Sequence, residues 1–574
     1  MSAYRLAQAG QRVCVLERGK AWPPGSFPRR PRAVATNFWD PSQGLYGLFN
    51  VWSFRGIEAV VSSGLGGGSL IYANVLMRKD ERWFVKDSPF RGGSERWPIS
   101  RADLEPHYDQ VERMLGAECC PLETPGYARI PKTLAMRDAA GRLGLEWGLA
   151  KLAVTFANEG RSPVQAEPLT EAAYPNLHGL TRTTCRLCGE CDLGCNYGSK
   201  NTLDHTYLSA AKHHGADIRV LCEVRRFGPR PGGGYTVSYV EHDPRREGAP
   251  ADTARLPEVT ITADRLILAA GTLGTPYLLL RNRGMLPQLS AALGTRFSGN
   301  GDLLGFMVPG RSRAGSGAAP RVLDGSHGPV ITSFIRVPDS VDPQGAGSGY
   351  YIEDAGYPVI LDWMVQAAAA PSAALRLLRF ALRRIRSTLT QDPVSDLSAE
   401  IGRLLGKAEL SARSMPLLGM GRDVPDGVMR LRGGYLDIDW TTKTSRAYFR
   451  RVRRTMADIS GELGATFHEN PLSRLGRVVT VHPLGGCPMG AGEREGVVDA
   501  YGQAFGCPGL YVADGSVMPG PVGANPSLTI AAFANRMAER IIDDVDARAT
   551  RAGHRASVAC HRGAESCAEA KEPA

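Results

Sequence analysis

The first seventeen residues constrain this chain more than any other stretch. Met1 to Gly10 (MSAYRLAQAG) reads as the body of a helix ending in glycine, and Gln11 to Leu16 (QRVCVL) reads as a short buried strand closed by Glu17. Helix, glycine, apolar strand and terminal acid make the second half of a dinucleotide-binding βαβ unit, in which that acid hydrogen-bonds a ribose. A strand and a glycine-rich phosphate turn, roughly ten to twenty residues, are expected upstream of Met1. The chain from Met1 is therefore expected to bind a dinucleotide poorly, and an N-terminally extended form to be competent. The fold class that follows is α/β, with a Rossmann-like nucleotide-binding domain incomplete at its N-terminus.

A chain of 574 residues, 43% of them hydrophobic, can bury large cores and predicts two or more lobes. The net charge of +10 raises the question of nucleic acid. No helix-turn-helix, zinc-finger or aromatic RNA-binding motif accompanies it, so a solvated basic surface and no nucleic-acid partner are expected. No apolar run reaches the ~18 residues of a membrane span, and Met1 opens no secretory signal. Of the twelve cysteines, four fall between Cys185 and Cys195. That clustering argues against a disulfide scaffold and for a reducing, cytoplasmic location.

Further along, a short strand runs into Gly66, Gly67 and Gly68, with a helix start expected at Ser69 and Asn74 just beyond. Such glycines let backbone N–H groups approach a phosphate or a flat ring. Leu104, Tyr108, Val111, Met114 and Leu115 recur at helical spacing and read as core. Leu266 to Thr272 (LILAAGT) reads as a buried strand opening onto a helix from about Thr275, another place where a sheet meets a dinucleotide. Residues 298–465 alternate strands and helices without nucleotide signature and are expected to form an α+β substrate domain built on an antiparallel sheet. Residues 1–297 and 466–548, with a Cys-rich insertion near 181–200, are expected to form the discontinuous nucleotide-binding domain. Residues 375–386 (LRLLRFALRRIR) make a basic amphipathic helix whose apolar face packs inward or meets a membrane surface. The polar tail 549–574 is expected to be disordered.

Two segments near the end carry the chemistry. In Val481-His-Pro-Leu-Gly-Gly-Cys487, His482 is presented between a strand and a glycine-rich turn. In Leu510 to Thr529, a strand leads to Asp514, expected to be exposed, then a Pro/Gly loop and Asn525-Pro526-Ser527 at a helix start. Amides at such a start meet a cofactor oxygen or a developing negative charge.

Taken in order along the chain, Glu17, Gly66-Gly67-Gly68-Ser69 with Asn74, Ala270-Gly271-Thr272, the His482 segment and Asp514-Gly515 with Asn525-Pro526 resemble the glucose-methanol-choline (GMC) oxidoreductases. Those are flavoproteins that oxidise alcohols. The His-Pro-Leu-Gly-Gly-Cys and Gly-Ala-Asn-Pro-Ser segments are most similar to the family's non-covalent FAD cholesterol oxidases of the mycobacterial-like type. The resemblance implies FAD as cofactor and a bulky apolar alcohol, a 3β-hydroxysterol such as cholesterol, as substrate. It implies oxygen or a redox partner as electron acceptor. His482 then handles the hydroxyl proton, which an imidazole does near neutral pH, while Asn525 orients substrate beside the flavin. Glu17, Gly66, Gly67, Gly68, Ser69, Asn74, Val224, Gly271, Asp514, Gly515, Asn525 and Pro526 fall at flavin-contacting positions. A carboxylate that shifts the double bond after oxidation matches Glu353, with Asp354 adjacent; the alternative is a surface acid.

Cys185, Cys188, Cys191 and Cys195 have the C-x2-C-x2-C-x3-C spacing of a ferredoxin run, with Asn196 where proline is usual. An iron–sulfur cluster, a zinc site and a thiol-packed loop all remain open. With a cluster, the protein would be an acceptor-dependent alcohol dehydrogenase; without flavin, it would be a steroid-binding protein without catalysis.

Overall fold

The helix and strand at the N-terminus form at Ser2–Gln8 and Cys14–Leu16. The strand pairs in parallel with Asp217–Arg219, Cys14 lying opposite Asp217. A second parallel pair joins Leu266–Leu268 to Leu510–Val512. Parallel neighbours need a crossover connection, and here it carries most of the second half of the chain. The two pairs are not hydrogen-bonded to each other. They share an apolar cluster in which Leu6, Val13, Ile267 and Tyr511 meet Met537 and Ile541. A three-stranded antiparallel ribbon, Cys222–Pro229, Tyr235–Glu241 and Glu258–Ala263, stands beside them. The computed structural model describes residues 1–29, 35–87, 94–170, 174–309, 322–339, 349–356, 414–469 and 478–568. The basic segment 375–386 lies outside the described residues.

The second body is a six-stranded antiparallel sheet in the order Ala465–Glu469, Leu303–Pro309, Met415–Gly421, Tyr350–Asp354, Ser333–Val337, Glu146–Leu149. Its central strands Tyr350–Asp354 and Met415–Gly421 are buried along their whole length, whereas Ser333–Val337 alternates, as a half-covered strand does. Helix Arg446–Glu462 covers one face with Phe449, Val452, Met456 and Ile459, spaced three or four apart. Helix Pro131–Leu143 adds Ala135, Met136 and Ala139 to the same core and ends on Gly144 in the left-handed region. The edge strand Glu146–Leu149 comes from outside the stretch 298–465, and Ala465–Glu469 crosses its end. Pairing of distant segments drew that outline, which local composition does not encode.

Helix Arg101–Met114 opens on a Ser100/Asp103 capping box and buries Leu104, Tyr108 and Val111. Tyr108 shares a hydrogen bond of 2.9 Å with Thr529 on the last helix. That helix, Ser527–Ala568, continues through most of the stretch expected to be disordered. Ala, Arg and Glu, strong helix formers, are frequent in that stretch. Among the described residues, no helix is long and apolar enough to cross a membrane.

Candidate active site

Strand Ile57–Ser62 runs into the glycine loop, which turns through a 3-10 segment, Gly67–Leu70, rather than the α-helix expected at Ser69. A side chain at Gly67 or Gly68 would meet nothing within 4 Å, so their backbone borders open space. Ser69 Oγ donates to the Gly66 carbonyl at 2.7 Å and accepts from Leu203 N–H at 2.9 Å. Asn74 is fully buried with φ of 70°, and neither its amide oxygen nor its amide nitrogen has a partner. Buried amides are normally satisfied, so these two atoms leave room for a polar ligand group.

Glu17 follows its strand directly, and its carboxylate accepts from Gly19 N–H at 2.7 Å. Burial raises its pKa, which that hydrogen bond opposes. Cys222 N–H donates to the Glu17 carbonyl at 2.8 Å, which places the strand bearing Val224 alongside. Leu65 N–H donates to the Lys20 carbonyl at 3.1 Å and ties this corner to the glycine loop. Gly271, with φ of 80° and open space where a Cβ would be, starts helix Gly271–Arg281.

Asp514 is buried, not exposed. Its carboxylate accepts from Gly271 N–H (3.0 Å), Thr275 Oγ (2.5 Å), Ser516 N–H (2.9 Å) and Ser516 Oγ (2.6 Å). Burial raises its pKa and those bonds lower it. The residue looked solvated because its turn is polar; the pairing of Leu266–Leu268 with Leu510–Val512 brings a helix N-terminus over it. Gly515 and Pro526 are buried in the same turn and at the start of the last helix.

His482 follows strand Val478–Thr480. Gly485 then takes φ of 85°, and a Cβ there would lie 2.0 Å from the Arg296 carbonyl, so only glycine fits this turn. His482 Nδ1 lies 2.9 Å from Asp302 Oδ1. The other oxygen of Asp302 accepts from Thr480 Oγ (2.9 Å), Val481 N–H (2.9 Å) and His482 N–H (3.1 Å). Two residues earlier, Asn300 donates through Nδ2 to the Ala524 carbonyl at 3.1 Å and accepts from Gly523 N–H at 2.8 Å. Asn525 Nδ2 in turn donates to Glu353 Oε2 at 3.2 Å. Two hydrogen-bonded pairs, His482–Asp302 and Asn525–Glu353, are thus drawn from separate segments, and Asn300 ties the backbone just before Asn525 to the turn that carries Asp302.

Glu353 is fully buried, and its Oε1 has no partner, as has Asn525 Oδ1. Burial pushes the Glu353 carboxyl up to about 8, opposed by Asn525 and reinforced by Asp354 and Asp302. Its neighbour does a different job. Asp354 accepts from Lys132 Nζ (2.7 Å), Thr133 Oγ (3.2 Å), Thr332 N–H (3.0 Å), Ser333 N–H (2.6 Å) and the Thr332 hydroxyl. Lys132→Met should leave that carboxylate buried and unpaired and cost roughly 3–5 kcal/mol, read as a lower urea midpoint.

The four clustered thiols are free, and no three of them converge within 4.8 Å. Burial pushes Cys188 up to about 12 and Cys185 well above its ordinary value, as for thiols packed in a loop. The reading of Cys185, Cys188, Cys191 and Cys195 as metal ligands therefore finds no converged donor set. The loop is locked instead by buried Lys200, whose Nζ donates to the carbonyls of Leu70 (3.1 Å), Tyr72 (2.7 Å) and Cys191 (2.9 Å). Lys200, Asn300 and Asp302 escaped sequence reasoning. The signal for the last two was the Ser298-Gly-Asn-Gly-Asp302 turn cluster just before a strand.

Open backbone at three glycines, the orphaned amide of Asn74 and the unpartnered Asn525 Oδ1 and Glu353 Oε1 fit a flat cofactor with phosphates and a small polar substrate group. Family models described as GMC oxidoreductase match residues 52–293 and 421–534. The chain is 32% identical to a cholesterol oxidase of Mycobacterium tuberculosis, over 94% of this chain and 88% of the relative. A cholesterol oxidase of Acinetobacter baumannii is 27% identical, over 93% and 91%. The crystal structure of pyridoxine 4-oxidase from Mesorbium loti superposes with a TM-score of 0.52 at 16% identity, covering 94% of this chain and 96% of that one. The chain belongs to the GMC oxidoreductase family, which implies FAD as its cofactor and the CH–OH group of an alcohol as the group it oxidises.

Proposed function

We propose that this protein oxidises a bulky apolar secondary alcohol, a 3β-hydroxysterol such as cholesterol, passes the electrons to oxygen, and then shifts the product's double bond. The reading rests on the His482–Asp302 and Asn525–Glu353 pairs, together with the cholesterol oxidases among the relatives. Glu17, Gly66 to Ser69, Asn74, Val224, Gly271, Gly515 and Pro526 would hold FAD, with Asp514 bracing Gly271 from behind. FAD supplies the hydride acceptor when bound.

The chain's own residues handle the proton. Because Asp302 is an acceptor, the hydrogen on His482 sits on Nδ1, which leaves the Nε2 lone pair free for the alcohol O–H. As that proton arrives, the growing imidazolium charge lies against the Asp302 carboxylate. Asn525 keeps its Oδ1 unpaired and orients the substrate. Glu353, buried beside it, moves a proton from one side of the product's double bond to the other.

Asp302 is a positioning residue in this scheme. Asp302→Asn should lower kcat on the order of 10²-fold by releasing the imidazole tautomer, with KM little changed; a simple loss of packing would raise KM and lower stability together. The reading itself is tested with flavin-loaded protein in air, comparing cholesterol with a long-chain primary alcohol. Peroxide release with conjugated-enone formation from cholesterol supports it. Turnover of the primary alcohol alone overturns the sterol assignment.

A further inference from the structure

Apart from the proposed catalytic residues, a buried cluster of metal-ligating side chains stands unused among the described residues. His178, Asp204 and His205 each offer one ligand atom, and the three atoms lie within 4.8 Å of one another. His178 Nε2 is 2.7 Å from Asp204 Oδ2. Asp204 Oδ1 and His205 Nδ1 are buried without a hydrogen-bond partner. Asp204 is 1% exposed, His205 9%, and the His178 side chain 3%. Two unpartnered buried polar atoms on adjacent residues are costly unless something satisfies them.

The local backbone explains the convergence. Asp204 and His205 open a π-helical turn, Asp204–Leu208, a wide turn that recurs at functional sites. The loop bearing His178 is clamped onto this turn by Leu177 N–H donating to Ser209 Oγ at 2.9 Å. The two imidazoles meet edge to face, with ring centroids 5.3 Å apart. A Cβ at Gly66 would come 3.1 Å from Asp204 Oδ1, so the cluster also backs the glycine loop.

We propose that His178, Asp204 and His205 bind a zinc ion, which ties the 174–180 loop to the turn behind the glycine loop. Two imidazoles and one carboxylate are a zinc donor set, leaving a fourth position for water. Tetrahedral zinc needs its ligand atoms about 3.3 Å apart, given Zn–N and Zn–O bonds near 2.0–2.1 Å, within reach of small side-chain rotations here. Both nitrogens must present lone pairs. His178 therefore gives up any hydrogen on Nε2 when the ion binds.

The test uses the full chain with its flavin, stripped with EDTA, loaded with Zn(II) or Co(II) and desalted. The expected result is about one equivalent of zinc retained, falling below about a tenth of an equivalent in His205→Gln and in Asp204→Asn. A Cys188→Ser/Cys191→Ser double variant should retain the full equivalent. The Co(II) form of the unmodified protein should show visible bands without a sulfur charge-transfer band, a readout independent of how the variants fold. Failure of the unmodified protein to retain zinc overturns the proposal, as does retention by His205→Gln or a sulfur charge-transfer band. None of these readouts depends on which alcohol is oxidised.

Discussion

Replacing His482 with glutamine should lower the rate constant for flavin reduction by cholesterol roughly 10²–10⁴-fold, the range for loss of a positioned acid–base group. The side chain has two faces with different duties. Nδ1 is held 2.9 Å from Asp302, whose second oxygen binds the backbone N–H of His482 itself. Glutamine can keep a donor toward Asp302 but presents an amide, a very weak base, where Nε2 stood. Substrate binding should therefore survive while proton removal does not. Anaerobic stopped-flow at saturating substrate separates the two: the limiting rate falls and the apparent dissociation constant stays within a few-fold. An unchanged limiting rate would remove His482 from the mechanism, and with it the reason for Asp302.

Glu353→Gln should leave alcohol oxidation within about ten-fold of the unmodified enzyme and slow double-bond migration roughly 10²-fold or more. The unconjugated ketone would then accumulate, which separates it from the enone by absorbance. Because burial pushes this carboxyl up to about 8, the basic form is the minority at neutral pH. In the unmodified enzyme, migration relative to oxidation should rise with pH and level off above about 8.

The same shift carries a stability signature. A glutamate in the unfolded chain loses its proton near pH 4.3, whereas folded Glu353 keeps it to about 8. Between those values the unfolded state binds fewer protons, so stability falls as pH rises, by at most about 1.4 kcal/mol per unit from this group. The loss stops above the folded value. Glu353→Gln should flatten that slope, making the variant relatively more stable at pH 8 than at pH 5 in urea titrations. A slope unchanged by the substitution would place the perturbed carboxyl elsewhere.

Much of this molecule was legible before any coordinates. The N-terminal helix and strand, the Leu266–Leu268 strand and the Leu104/Tyr108/Val111 core stripe all formed, because each is a local pattern, although the expected burial of the first strand fails at exposed Cys14. His482 and Asn525 were singled out by the glycines and prolines around them, which announce a backbone held in unusual turns. Asp514 misled for a related reason: its polar turn looks solvated until a distant helix N-terminus covers it.

Sequence by itself determined the α/β class, the family, and which segments carry the chemistry, since these depend on short-range pattern and motif order. Tertiary structure alone decided what each carboxylate does. Glu353 and Asp354 are adjacent and chemically alike, and alternation along a strand sends their side chains to opposite faces of the sheet. One meets Lys132 and four other donors and is satisfied; the other meets only Asn525 and retains an unpaired oxygen. Asp302 became the partner of His482 by the same rule, across 180 positions of chain. Burial and hydrogen-bond partners set a carboxylate's charge, and both come from residues far away in sequence.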